Sequence, residues 1–296
     1  MHLSGSITAL ATPFTAAGEI DFAAWQRLLE AQIEGGTSAL VVAGSTGEAA
    51  TLENDEYARL LEAAARLLGG RIPLLAGTGL SGTAKTVAQT RLARDSGATA
   101  ALVVTPPYVR PTQDGLVAHY LEVAGAGGLP LVLYNVPGRT GCDLLPETVA
   151  RLAPEANIIG LKEARGDQQR WNELYPLASA EFALLSGDDP TFVQAMRGGA
   201  KGVISVASNV LPRTFARICR ALAGGRVDEA TALDARLHEI YDFLGAEPNP
   251  IPVKALLQRL GIGAGLRLPL LPLSAGNVQA ADRLARLGQE IESQLQ

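Results

Sequence analysis

The sequence contains little lysine, histidine or cysteine and no long apolar run. Arginine supplies all but four of the 25 basic residues; the lysines are Lys85, Lys162, Lys201 and Lys254. No apolar run approaches the roughly 18 residues that a membrane-spanning helix needs. The formal charge is −5 and no stretch is rich in basic residues, so we expect neither a nucleic-acid partner nor a membrane partner.

The few histidines and cysteines do not indicate a metal site or a disulfide framework. His2, His119 and His238 show no HExxH spacing. Cys142 and Cys219 are far apart and lack CxxC spacing, which is typical of free thiols in a reducing compartment. The residues before the first strand pattern show no signal-peptide pattern, so we expect a cytoplasmic protein.

Short apolar, β-branched runs alternate with amphipathic helical runs along most of the chain. The predicted strands lie at residues 6–14, 39–44, 72–79, 100–107, 129–137, 157–164, 182–189 and 201–209. They are continuous apolar runs, as expected for parallel strands covered on both faces. Eight strand–helix units predict an α/β fold, a (β/α)8 TIM barrel over residues 1–224. Helical patterns at 227–244, 253–260 and 277–295 predict a C-terminal helical extension over residues 225–296.

Two motifs that commonly hold phosphate or metal have other interpretations here. GTGLSG, residues 77–82, matches GxGxxG, but the next strand ends in prolines and a tyrosine instead of the acidic residue that would hold a ribose. Asp188 and Asp189 follow the seventh strand and would repel a phosphate, and no further metal ligand is evident. We expect one of these aspartates to cap the helix after Pro190.

The stretch NIIGLKEAR, residues 157–165, is an apolar strand that ends in a lysine. Only Lys162 lies near the carboxyl end of a barrel strand, the end where barrel active sites are built. By strand alternation Lys162 shares one face with Ile158 and Gly160, and if that face points into the barrel, Gly160 should leave space beside the lysine. A neutral lysine amine attacks ketones to form a Schiff base. The alternative is a lysine that emerges into solvent. Glu163 faces the other way, where we expect a structural role.

Two further motifs follow strands at the same end of the barrel. GSTGE, residues 44–48, combines glycines with two hydroxyls and suits a bound carboxylate; the alternative is an ordinary turn with a helix cap. In YNVPGRTG, residues 134–141, Tyr134 ends the fifth strand and Arg139 follows it. An arginine there suits a second carboxylate, and the alternative is a solvated loop arginine.

The motifs GSTGE, TPPYVRP, YNVPGRTG, GLKEA, SGDD, GVISVASN and NPIPVK occur in this order over nearly the whole chain. The set resembles the 4-hydroxy-tetrahydrodipicolinate synthase (dihydrodipicolinate synthase) family, pyruvate-dependent, Schiff-base-forming lyases on (β/α)8 barrels. The resemblance implies condensation of pyruvate with L-aspartate 4-semialdehyde in diaminopimelate and lysine biosynthesis, without a metal or organic cofactor. GSTGE and the strand lysine are shared with the wider superfamily. The alternative is therefore a 2-keto-acid aldolase of the N-acetylneuraminate or keto-deoxy sugar-acid type.

The resemblance also implies a role for each matching residue. Lys162 would form the imine with pyruvate, and the proton relay would consist of Tyr134, Ser45 and Tyr108, the last acting in a neighbouring subunit. Thr46 would hold the carboxylate of pyruvate, with Ile204 beside the bound molecule. Arg139 would hold the carboxylate of aspartate semialdehyde, and Arg110 would lie at the entrance. Ser45 replaces the usual threonine, and Pro107-Tyr108 replaces a pair of tyrosines. The family is usually a homotetramer of paired dimers.

The family's inhibitory L-lysine site corresponds to Asn54, Tyr57, Ser81 and Lys85. Lys85 stands where relatives place a carboxylate, so its cation should repel the ammonium groups of the ligand. The resemblance therefore implies weak or absent lysine feedback.

Overall fold

The structure of the protein, a computed structural model, describes residues 1–295 and contains a closed barrel of eight parallel strands. The strands are β1 (Gly5–Ala9), β2 (Ala39–Val42), β3 (Leu74–Gly77), β4 (Ala100–Val104), β5 (Leu131–Asn135), β6 (Ile158–Glu163), β7 (Ala183–Ser186) and β8 (Gly202–Ser205). Each strand pairs with the next one in the chain, and β8 pairs with β1. The predicted (β/α)8 barrel is confirmed. The strands are shorter than predicted because the apolar runs continue into the loops.

Helices connect the strands and cover the outside of the barrel. They are α1 (Phe22–Gly35), α2 (Asn54–Leu68), α3 (Thr83–Asp95), α4 (Gln113–Ala126), α5 (Pro137–Thr140), α6 (Pro146–Leu152), α7 (Gln168–Leu174), α8 (Phe192–Gly198) and α9 (Pro212–Ala223). Short 3-10 turns lie at Ala49–Thr51, Tyr175–Leu177, Asp189–Thr191, Ala207–Asn209 and Ala275–Asn277. The first helix shows the local signals clearly: Asp21 accepts from the Ala24 N–H at 2.9 Å, and Gly36 ends it in a left-handed conformation.

Four helices follow the barrel: α10 (Val227–Ala235), α11 (His238–Leu244), α12 (Ile251–Arg259) and α13 (Val278–Ser293). The single helix predicted over residues 227–244 is thus two helices, separated at Arg236 and Leu237. Within residues 1–295, no helix is both long and apolar enough to cross a membrane. Cys142 and Cys219 are free, as predicted, and both are buried.

Apolar side chains form two cores, one inside the barrel and one between the strands and the helices. The interior core contains, among others, Ile7, Val41, Leu75, Leu102, Val132, Leu185 and Ile204. The outer core is larger and includes residues of the C-terminal helices, such as Leu237, Ile240, Leu256 and Leu284. Each large apolar side chain contributes about 1.5–3 kcal/mol when buried, so the outer core supplies most of the hydrophobic stabilisation. Since the outer core continues into these helices, the division at residue 224 stays a prediction.

The pairing between β5 and β6 skips one residue, Ile159. A skipped residue is a β-bulge, and it reverses the faces expected from simple alternation on one side of it. Ile158 consequently packs in the outer core, and Ile159 packs against the interior one. The predicted inward placement of Ile158 is therefore wrong. Lys162 and Glu163 follow the bulge and take the faces that were predicted for them.

Candidate active site

A lysine and a tyrosine meet inside the barrel at the carboxyl ends of β5 and β6. Lys162 and Tyr134 are register partners, and only 5% and 8% of their surfaces are exposed. The Lys162 Nζ lies 4.4 Å from the centroid of the Tyr134 ring. Within the described chain, Lys162 forms neither an ion pair nor a side-chain hydrogen bond. A buried amine without an acidic partner, beside a phenol that can exchange protons, suits nucleophilic catalysis.

The space for the Lys162 side chain comes from Gly187 in the loop after β7. A Cβ atom at Gly187 would lie 2.7 Å from the Lys162 Cε. A Cβ atom at Gly160 would instead lie 2.5 Å from the main-chain oxygen of Ala183 in β7. The prediction that Gly160 leaves room for the lysine is therefore wrong. Gly160 permits the close approach of β6 and β7.

Behind this pair, the next residues of the same two strands form a buried polar pair. Asn135 and Glu163 are register partners, and the Asn135 Nδ2 donates to both carboxylate oxygens of Glu163, at 3.1 and 3.0 Å. The Arg165 N–H donates to the Glu163 Oε1 at 2.8 Å, and the Arg170 Nε lies 3.9 Å from the Oε2. Burial raises the pKa of Glu163 to about 7, against the effect of the hydrogen bonds from Asn135 and Arg165. Glu163 thus lies in the barrel–helix layer, as predicted.

The GSTGE turn after β2 meets residues from the far end of the chain. Thr46 is buried, and its Oγ1 accepts from the Asn249 Nδ2 at 3.0 Å. The main-chain oxygen of Asn249 accepts from the Arg139 Nη2 at 3.2 Å. Asn249 therefore connects the two residues predicted to hold carboxylates. Ser45, by contrast, is exposed, and within residues 1–295 its side chain forms no hydrogen bond, so its place in a proton relay stays a prediction.

The last residue of this turn, Glu48, forms a buried ion pair with Lys254 of α12. Lys254 is 7% exposed, and its Nζ lies 4.2 Å from the centroid of the Phe14 ring. Burial lowers the pKa of Lys254, and the negative charge of Glu48 opposes that shift. By its position in the chain, Lys254 belongs to the C-terminal extension. Its side chain nevertheless reaches the turn after β2.

Tyr108 and Arg110 lie in the loop after β4. Tyr108 is 92% exposed, and its N–H donates to the main-chain oxygen of Thr140 at 3.3 Å. The Arg110 Nε donates to the main-chain oxygen of Gly141 at 3.0 Å. Both residues have positive φ, 75° and 49°, which is uncommon for residues with a Cβ atom. The loop is thus held against α5 while the Tyr108 side chain stays in solvent.

Of the remaining predicted residues, Ile204 is fully buried and belongs to the interior core together with Tyr134. The predicted helix cap by Asp188 or Asp189 is wrong, because neither side chain caps the turn or the helix that follows. The Asp189 Oδ2 instead accepts from the N–H groups of Val206 and Ala207 at 3.1 and 2.8 Å. Asp189 therefore ties the loop after β7 to the loop after β8. Burial raises its pKa to about 6.

Four residues of this region were not predicted: Asn135, Glu48, Asn249 and Lys254. A signal for the last two was present, since NPIPVK contains a lone amide and a lone cation in an otherwise apolar segment. Nothing in the sequence reveals that this segment packs on the GSTGE turn, about 200 residues earlier, because parallel barrels bring distant loops to one end.

The fold and these residues define a (β/α)8-barrel enzyme with a buried lysine and a tyrosine at the carboxyl ends of its strands. The sequence profile of the Dihydrodipicolinate synthetase family matches residues 2–286, and the chain belongs to this family.

Relatives support this assignment over the full barrel. A 4-hydroxy-tetrahydrodipicolinate synthase from Xanthomonas axonopodis pv. citri (strain 306) is 65% identical over 285 residues, which cover 96% of this chain and 94% of the relative. One from Stenotrophomonas maltophilia (strain K279a) is 62% identical over 285 residues, covering 96% of each. A crystal structure of the chloride-inhibited dihydrodipicolinate synthase from Acinetobacter baumannii complexed with pyruvate is 40% identical, with a TM-score of 0.93 and 99% coverage of both chains. These relatives favour a synthase over the alternative aldolase.

Proposed function

We propose that this chain condenses pyruvate with L-aspartate 4-semialdehyde to 4-hydroxy-tetrahydrodipicolinate, through a Schiff base on Lys162. The observation that carries the proposal is the Lys162 amine itself. It is buried at the carboxyl end of β6, has no acidic partner within residues 1–295, and lies against the Tyr134 ring. Membership of the family supports the same reaction.

Each step of this reaction has a chemical requirement that the site supports. The Lys162 amine attacks the ketone of pyruvate, and loss of water gives the imine. The imine withdraws electrons, which makes the methyl protons of pyruvate acidic, and Tyr134 removes and returns protons beside it. The enamine carbon attacks the aldehyde carbon, which restores the imine, and the aldehyde oxygen takes up a proton to become the hydroxyl group of the product. The amine of the second substrate then attacks the imine carbon, which closes the ring and frees Lys162. No cofactor takes part in these steps.

Two loops would hold the carboxylates of the substrates. Thr46, in the turn after β2, would bind the pyruvate carboxylate through its N–H and hydroxyl groups, with Ile204 beside the bound ketoacid. Arg139 would bind the carboxylate of the semialdehyde, with Arg110 at the entrance. Asn249 contacts both Thr46 and Arg139, so it would set the spacing between the two carboxylate sites.

A proton relay through Ser45 and Tyr108 requires a second copy of the chain. The Tyr108 side chain is almost fully exposed, and within residues 1–295 it forms no hydrogen bond, which supports its insertion into a neighbouring subunit. We therefore include a homotetramer of paired dimers in the proposal, and we place the enzyme in the cytoplasm.

Reduction with borohydride in the presence of pyruvate tests the Schiff base directly. We expect one pyruvate-derived adduct per chain, and peptide mapping should locate it on Lys162. Lys254 is the internal control, because its amine is also buried but is paired with Glu48. An adduct on Lys254, or no adduct, would contradict the proposal.

The second carboxylate site separates the synthase from a sugar-acid aldolase. In Arg139→Ala, we expect the KM for aspartate semialdehyde to rise about 10- to 100-fold, because a hydrogen bond to a charged group contributes about 1.5–3 kcal/mol. The KM for pyruvate should change little. Arg151→Ala is the matched control, since Arg151 forms an exposed ion pair with Asp114. Normal use of the semialdehyde by Arg139→Ala would favour the alternative.

A further inference from the structure

Lys254 is a buried charged group to which the proposed reaction assigns no role. Its ammonium group and the Glu48 carboxylate are both withdrawn from water. Removing two charges from water costs several kcal/mol per ion, and a well-packed apolar pair is often at least as stable. The ion pair is therefore not explained by stability alone. Its position, at the end of the turn that carries Thr46, suggests a role in the site.

Glu48 is held from two directions by the C-terminal part of the chain. Lys254 of α12 contacts the Oε1, and the Arg267 N–H donates to the Oε2 at 3.1 Å. Two cations lie over the Phe14 ring, with the Lys254 Nζ and the Arg267 Cζ at 4.2 and 4.3 Å from its centroid. The guanidinium of Arg267 is itself bound by the carboxylate of Glu56. The two residues that contact the Glu48 carboxylate are thus themselves held in place, Lys254 over the Phe14 ring and Arg267 by Glu56.

The backbone of the turn needs such external support. Glu48 has φ of 52°, in the left-handed region, and Ala43 at the other end of the turn has φ of 53°. Residues with a Cβ atom keep this conformation only where the surroundings enforce it. The ion pair anchors the side chain of Glu48, two residues from Thr46. Asn249 adds a direct hydrogen bond to the Thr46 Oγ1.

We infer that Glu48 and Lys254 are positioning residues for the carboxylate end of pyruvate. The ion pair fixes the left-handed end of the turn and so aims the N–H and hydroxyl groups of Thr46 at the carboxylate. This inference rests on the proposed function and adds to it that the C-terminal helices control the affinity for one substrate. The geometry predicts an effect on pyruvate binding that is separate from any effect on the semialdehyde.

Steady-state kinetics of Lys254→Met test the inference. We expect the KM for pyruvate to rise about 10-fold or more, since small displacements of a positioning group have effects of this size. The kcat at saturating pyruvate and the KM for aspartate semialdehyde should each change by less than about threefold, because Lys162 and Arg139 are untouched. The control is Arg259→Met on the same helix, whose ion pair with Asp282 lies on the outside. Its KM for pyruvate should match that of the wild type.

The outcomes separate this inference from the proposed function. If the wild type does not condense the two substrates, the proposed function fails. If the wild type is active and Lys254→Met has an unchanged KM for pyruvate, or an equal rise in both KM values, the positioning role is wrong. If Lys254→Met does not fold, the double variant Glu48→Gln/Lys254→Met replaces it, because that variant buries no unpaired charge. The same two results then support or overturn the inference.

Discussion

Two lysines are buried at the carboxyl end of the barrel, and they differ in what surrounds the amine. Lys254 has a carboxylate partner, Glu48, and lies over an aromatic ring. The Lys162 amine lies over the Tyr134 ring, and no carboxylate of residues 1–295 pairs with it. Because the Lys254 amine is engaged by its carboxylate partner, the proposed reaction assigns the nucleophile to Lys162, whose amine has no such partner. Burial of a lysine at the carboxyl end of a barrel is therefore insufficient to identify a catalytic amine. The groups that pair with the amine must be considered as well.

The largest effect should come from removing the unpaired lysine. For Lys162→Gln we expect kcat/KM to fall by at least about 10⁴-fold, because a covalent nucleophile is lost. The measurement is the initial rate of condensation with both substrates. Thermal stability should not fall in parallel, since within the described chain no ionic partner is left unpaired. Residual activity near that of the wild type would show that the comparison assigns the two lysines wrongly.

Removing the paired lysine should lower stability, in addition to its effect on the KM for pyruvate. In Lys254→Met the Glu48 carboxylate stays buried without its cation, so we expect a loss of about 3–5 kcal/mol in the free energy of unfolding. Urea denaturation measures this value. The double variant Glu48→Gln/Lys254→Met should recover most of the loss. Equal stability of the single and double variants would mean that the buried charge is not the cause.

Glu163, the residue after Lys162 in β6, should give a smaller effect, a pH-dependent change in the free energy of unfolding. Burial raises the pKa of Glu163 from 4.5 to about 7 in the folded protein. The folded state therefore binds this proton more tightly than the unfolded state. The resulting stabilisation is complete below about pH 4.5 and is lost as the pH rises through about 7. The shift corresponds to about 3 kcal/mol.

Glu163→Gln cannot titrate, so it should lose less stability than the wild type when the pH is raised from 5 to 8. Urea denaturation of both proteins at the two pH values provides the measurement. Asp189, whose pKa is also raised, is common to both proteins and cancels in the difference. An identical pH dependence in the variant would show that Glu163 is ionised throughout this range.

The smallest effect concerns an exposed lysine. Lys85 lies on the surface of α3, at a position where lysine-inhibited relatives are expected to carry an acid. A cation there repels the ammonium groups of a free lysine ligand. We therefore expect sub-millimolar L-lysine to leave the condensation rate unchanged. Clear inhibition in that range would overturn the expectation.

The sequence was sufficient for the barrel and for the lysine–tyrosine pair. Eight apolar runs alternate with helices, the lysine's position in its run places Lys162 at the carboxyl end of β6, and the family resemblance adds Tyr134. It was insufficient for details that depend on neighbouring strands. The bulge at Ile159 reverses the face of Ile158. A glycine is needed at position 160 because the carbonyl oxygen of Ala183 lies close to it, and not because Lys162 needs space there. Both follow from the pairing of β6 with its neighbours, and no pattern within β6 encodes either.

Contacts between distant segments were also beyond sequence reasoning. Aspartate is a common helix-capping residue, but Asp189 accepts hydrogen bonds from the N–H groups after β8. The closure of the barrel brings these groups close to Asp189. Lys254 and Asn249 lie within the NPIPVK motif, yet their contacts with the GSTGE turn depend on how α12 packs. Local propensity describes neither, because both are tertiary interactions.

The Glu48–Lys254 pair also has a consequence for the order of events during synthesis. The two residues are 206 positions apart in the chain. Translation proceeds at about 5–20 residues per second, so roughly 10 to 40 seconds separate the addition of the acid from that of its cation. Through that interval the left-handed turn after β2 lacks the partner that stabilises it. The proposed binding site for pyruvate is therefore completed among the last parts of the nascent enzyme, although one of its loops is among the first to leave the ribosome.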